Sequence, residues 1–112
     1  MGYKKASTED VDSVVPEEYG GMWFLRDALG ADRLGVTVLE LEPDAKGKEH
    51  SHEHDGQEEV YLVVKGEVEV DLTDCDETVT LREDDALRLD ADETRQIFNR
   101  GDVKAKLVLA GA

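Results

Sequence analysis

The sequence has one cysteine, Cys75, so no intrachain disulfide framework can staple it together. Prolines number two, Pro16 and Pro43, and no Pro-, Gly- or Ser-rich linker divides the chain. Basic residues are scarce: 13 Lys+Arg stand against 28 Asp+Glu, a formal charge of −15 with neutral histidines. Such a surface repels phosphate backbones and anionic lipids, which argues against nucleic-acid and membrane-surface roles. The longest strongly apolar run, Val60 to Val64, is far too short to cross a bilayer. The opening segment from Gly2 to Ser7 carries Lys4 and Lys5 but no apolar stretch behind them, so a secretory signal is not expected. Ala6 occupies the place where myristoylation requires Ser or Thr. The expected location is the cytoplasm. With 112 residues the chain suffices for one domain with one core.

The acidity is spread and not blocked. Glu9-Asp10, Glu17-Glu18, Glu58-Glu59 and Asp84-Asp85 fall along the whole chain. A disordered acidic chain would lack the 39% hydrophobic content and clean alternation present here. An ordinary solvated surface with an excess of acids is one reading, and a basic partner protein another, although no docking face for one is marked. The preferred reading is halophilic adaptation. At molar salt the Debye length falls to ~3 Å, which screens carboxylate repulsion while hydrated carboxylates keep the surface soluble.

After a polar, weakly patterned stretch, short segments with a period of two follow one another between turn residues. They comprise Met22 to Leu25, Leu34 to Leu41, Val60 to Val64, and Val68, Val70 and Leu72 alternating with Glu67, Glu69 and Asp71. Val79/Leu81, Leu87/Leu89, Ile97 and Val103 to Leu109 complete the series. No amphipathic stretch of helical length interrupts them. The pattern predicts an all-β sandwich or barrel over residues 22–112, preceded by an N-terminal arm over 1–21. Met22 and Phe24 read as core. Val60, Leu62 and Val64 share one strand face and Tyr61 and Val63 the other, so both faces are apolar. Such a strand needs a second cover, either the N-terminal arm or a partner copy in a homodimer.

All three histidines lie in His50-Ser51-His52-Glu53-His54. In an extended segment they share a face with neighbours ~6.6 Å apart, close enough to converge on one metal ion. Asp55-Gly56 would then reverse the chain into the strand beginning at Glu58-Glu59. Solvent-exposed histidines beside a turn, with no metal, are the bland alternative.

At this point the sequence resembles the cupin superfamily. Its first motif is a glycine, five residues, His-x-His, three or four residues, a glutamate, six residues and a glycine. His52, His54, Glu59 and Gly66 match it in spacing, whereas the leading glycine, Gly47, is one residue too close. The second motif lies over Asp84 to Asn99 without a gap. Asp84, Asp90, Asp92 and Arg95 replace its glycine, proline, second glycine and histidine; Asn99 agrees. The resemblance covers about residues 34 to 109. It implies a jelly-roll β-barrel (a double-stranded β-helix) and assigns His52, His54 and Glu59 as ligands of a divalent metal ion such as Zn, Fe, Mn or Ni.

The fourth family ligand does not carry over, because an arginine has no lone pair to give. Two imidazoles and a carboxylate with open positions suit Zn²⁺ or an oxygen-handling Fe²⁺ centre. His50 could add a nitrogen if the strand were displaced by two residues. If the metal is kept, Arg95 would bind a carboxylate or phosphate of a small ligand, with Tyr61 lining the same pocket. If it is lost, Arg95 would pair with Glu59 in the place of the ion. Cys75, between Asp74 and Asp76, has a setting that raises a thiol pKa and makes a poor nucleophile. The sequence reading therefore favours a small-molecule-binding protein with a metal and an anionic ligand. A metal-dependent oxygenase or isomerase acting on a small acid, and a metal-free structural or binding protein, are the alternatives.

Overall fold

The computed structural model describes residues 2–112, and its regular structure is almost entirely strand. The strands are β1 (Gly20–Phe24), β2 (Gly35–Leu41), β3 (Glu59–Lys65), β4 (Val68–Leu72), β5 (Glu77–Leu81), β6 (Ala86–Leu89), β7 (Arg95–Phe98) and β8 (Ala105–Gly111). One helical turn, α1 (Arg26–Leu29), and single 3-10 turns at Thr8–Asp10, Glu17–Tyr19 and Thr73–Cys75 are the only helical pieces among the described residues. A five-stranded sheet runs β1-β2-β8-β3-β6 and a three-stranded sheet runs β5-β4-β7, all antiparallel. The expected all-β jelly roll is what forms.

The period-two pattern aims one side-chain set of each sheet at the other. Leu39, Leu41, Tyr61, Val63, Leu107 and Leu109 of the large sheet meet Val68, Val70, Leu81 and Ile97 of the small one. Burying a Val or Leu side chain contributes roughly 1.5–3 kcal/mol, which is why alternation fixes the register so firmly. Phe24 departs from expectation: it is 52% exposed, at the end of the edge strand β1, where it lines an open cavity and does not pack into the core. Met22 is half-buried against the core, as expected.

The small sheet is wider than its named strands. Residues 45–50 run extended beside β7, with Gly47 N donating to Ile97 O, Asn99 N to Ala45 O, and His50 and Arg95 exchanging both backbone bonds. Gly47 is required there, since a Cβ at that position would lie 2.8 Å from Ile97 Cγ2. Asn99, the residue that matched the second motif, is buried. Its amide donates to Leu41 O and Val103 O and its Oδ1 accepts from Gly101 N, so its work is to tie the end of β2 to the β7–β8 turn. Asp84 stands where that motif has glycine and takes φ 72°, a left-handed conformation that a short polar side chain tolerates.

The arm does not cover β3. Val14 N donates to Met22 O and Ser13 Oγ accepts from Met22 N, so the arm lies along the free edge of β1. Val60, Leu62 and Val64 stay exposed at 37%, 39% and 47%.

Candidate functional site

A cavity of about 630 Å³ opens between the two sheets near the arm. Its walls are largely apolar, with Val15, Pro16, Met22, Leu39, Ile97 and Leu109 among them. His50, His52, Glu59 and Tyr61 line it as well, as do the cations Lys46 and Lys48. The polar groups come from two elements that pairing brings together. The extended 45–50 segment delivers His50 against Arg95, and β3 delivers Glu59 and Tyr61 between β6 and β8.

His50, His52 and Glu59 each offer a ligand atom within 4.8 Å of the others. His50 Nδ1 lies 2.9 Å from Lys48 O, which fixes that nitrogen as the donor and frees Nε2. His52 Nδ1 lies 3.2 Å from both Asp55 carboxylate oxygens, while its Nε2 lies 3.2 Å from Glu59 Oε1. If Asp55 takes the Nδ1 proton, a nitrogen lone pair faces a carboxylate oxygen. A cation eases that contact, and Glu59 Oε1 already accepts from the Arg95 guanidinium at 2.6 Å; a metal ion on the two atoms would do the same. Histidine ligands of metals characteristically have their second nitrogen held by such an oxygen. The donor set therefore fits an ion.

His54 lies elsewhere. Asp55 N and Gly56 N both donate to His52 O, so the chain leaves the extended path just after His52. The parity argument ends with the extended backbone, and the His54 side chain is 75% exposed. It groups with His52 and Asp55 on the outer side of the turn, and not with Glu59. His50, which the sequence reading admitted only through a displaced strand, takes the inner place without any change in the spacing of Glu59. Asp55, three residues after His52, is the partner that the reading missed; its spacing across a tight turn was the available signal.

Arg95 is fully buried and is not part of the cavity wall. Nη1 donates to Glu93 O at 2.7 Å and Asp90 O at 3.3 Å, and Nη2 donates to Glu59 Oε1 at 2.6 Å. Its Nε has no partner. The guanidinium thus meets Glu59 from the side of the Asp90 and Glu93 carbonyls. Tyr61 does line the cavity, and burial pushes its phenol up to about 12, with Glu59 adding to the rise and Arg95 opposing it. It stays a neutral hydrogen-bond donor across the physiological range. Cys75 is exposed on its turn, and its thiol is pushed up by desolvation and by the charges of Glu77 and Glu93.

A family model described as "Cupin domain" matches residues 37–111. No curated protein matches the sequence. Among solved structures, a cupin protein from Bacteroides fragilis is 24% identical with a TM-score of 0.79, over 100% of this chain and 85% of that one. A sugar phosphate isomerase of the cupin superfamily from Silicibacter pomeroyi is 23% identical with a TM-score of 0.74, over 97% and 75%. The polyketide cyclase RemF from Streptomyces resistomycificus is 21% identical with a TM-score of 0.78, over 96% and 78%. At these identities the likeness speaks for the fold.

Proposed function

This chain belongs to the cupin family, and we propose that it binds a divalent metal ion together with a small anionic molecule in its barrel. The observation that carries the reading is the convergence of His50, His52 and Glu59 on the wall of a mostly apolar cavity. His50 and His52 would hold the ion through nitrogen and Glu59 through oxygen, with His54 outside the set. When bound, the ion supplies a Lewis acid that polarises an oxygen of the molecule beside it. Lys46 and Lys48 give the cavity cations of its own in a protein of charge −15, and they favour an anionic group on the ligand. Tyr61 donates a hydrogen bond from the wall, and the apolar walls take the ligand's hydrocarbon part. Arg95 acts through Glu59, holding its carboxylate in place.

Metal analysis and titration with Zn²⁺, Mn²⁺, Ni²⁺ and Fe²⁺ test the reading. Near one ion per chain is expected, abolished in a His50→Ala/His52→Ala double variant that keeps its fold. Equal binding by the wild type and that variant overturns it.

A second reading has its own observation, the 2.6 Å contact of Arg95 with Glu59. There the guanidinium supplies the cation that the carboxylate requires, and the cavity binds its ligand without metal. Whether either form turns a substrate over is tested by assays for oxygen consumption and isomerisation across a panel of small acids.

A further inference from the structure

Cross-strand register lays out the inward face of the five-stranded sheet in rows. Phe24, Thr37, Leu109 and Tyr61 form one row over β1, β2, β8 and β3. The adjacent inward row is Gly35, Gly111 and Glu59, so two of its three positions carry no side chain. At Gly111 the protein itself uses the room. A Cβ there would meet Gln57 Oε1 at 3.0 Å and Glu59 Cγ at 3.3 Å, so those side chains lie across the bare backbone. Gly35 is different. A Cβ there would meet nothing but Gly111 O, at 3.6 Å, and its φ lies outside the left-handed region. Neither packing nor backbone conformation demands a glycine at this position, yet it stands bare on the cavity wall.

Aromatic residues are scarce in the chain, with one Trp, three Tyr and two Phe. Three of those six, Tyr19, Phe24 and Tyr61, line this one cavity. Tyr61 is buried, whereas Tyr19 and Phe24 are each 52% exposed, so their rings are not committed to the core. A bare peptide strip gives a ring a flat floor, and aromatic pairs gain beyond the area they bury. From this we infer that the apolar part of the ligand is a flat aromatic system of two fused rings, seated on Gly35 against Phe24. Its acid group, which rests on the reading proposed above, points toward His50, His52 and Glu59. Two strand spacings of about 4.8 Å put Gly35 roughly 10 Å from Glu59, the reach of an acid group carried on two fused rings and beyond that of one ring. The cavity volume of about 630 Å³ lies in the range that encloses ligands of this size.

Calorimetric titration of the full chain with naphthoate and with its fully hydrogenated counterpart, decalin carboxylate, tests this. Naphthoate should bind roughly threefold to tenfold more tightly. Phe24→Leu, at a half-exposed position, should erase that preference, and Gly35→Leu should weaken naphthoate more than tenfold with unchanged circular dichroism. If Gly35→Leu fails to fold, Phe24→Leu decides. Each titration is run with Zn²⁺ and in EDTA, so that a site without metal sinks the metal reading and leaves the ring comparison standing. Naphthyl methanol, the uncharged analogue, separates the other half: binding equal to that of naphthoate would sink the anionic reading and still support the ring seat. Equal affinity for the two acids, a preference that survives Phe24→Leu, a folded Gly35→Leu that binds naphthoate like the wild type, or no binding of any of the three probes overturns the inference.

Discussion

Arg95 Nη2 donates to Glu59 Oε1 across 2.6 Å, joining a fully buried guanidinium to the carboxylate that also faces His52. The pair links β7 to β3, which belong to different sheets, and its other end is pinned by the carbonyls of Asp90 and Glu93. Removing one member leaves a buried charge without its counterpart. Glu59→Gln is therefore expected to lower stability by about 3 kcal/mol, measured by urea denaturation. A loss under about 1 kcal/mol would mean that water reaches the guanidinium.

The placement of the histidines separates two substitutions that spacing alone treats alike. His50→Ala should weaken binding of Zn²⁺ or Ni²⁺ at the inner site severely, and His54→Ala should leave that site's affinity almost unchanged. Calorimetric titration of both variants decides it; the opposite order would return His54 to the site. Asp55→Asn, which meets His52 at its far nitrogen and no other member of the inner group, should weaken binding by roughly 10–100-fold.

Tyr61 gives a pH prediction. Its phenol is raised from 10.0 to about 12 in the folded protein, so the native state holds this proton more tightly than the unfolded state. The corresponding stability is complete below pH 10 and is lost as the pH climbs through about 12. Ultraviolet titration should show a late phenolate phase that disappears in Tyr61→Phe. That variant should also lose less stability than the wild type over the same alkaline range.

Salt tests the acidic surface. Ion pairs are few against 28 carboxylates, and those at Arg82, Arg88 and Arg100 are exposed. Screening of the remaining repulsion should raise the melting temperature as KCl goes from millimolar to molar concentrations. A flat response would remove the halophilic reading.

The strands were legible because their signal is local: an inward residue at every second position survives any change in the neighbouring elements. Val68-Glu69-Val70-Asp71-Leu72 is buried at its valines and nowhere fully buried between them, as its alternation requires. Phe24 differs because apolarity does not tell whether a side chain packs into the core or lines an open cavity.

For the site, the sequence by itself determined the residue types, two imidazoles and a carboxylate near a turn, and the register that puts Glu59 on the inward face of its strand with Tyr61. Only the tertiary structure decided which imidazoles stand beside Glu59. Pairing of the 45–50 segment with β7 holds the backbone extended through His50, and hydrogen bonds onto His52 O turn it before His54. The place of Arg95 was settled in the same way. A guanidinium can reach outward to a ligand or back to a carboxylate, and here the Asp90 and Glu93 carbonyls, close by in the chain, hold one end while Glu59, brought from the other sheet, takes the other. Spacing along a chain sets which side chains share a face, but a face ends wherever backbone hydrogen bonds bend the strand, and here a local turn onto His52 O acts together with pairing between segments that the sequence separates.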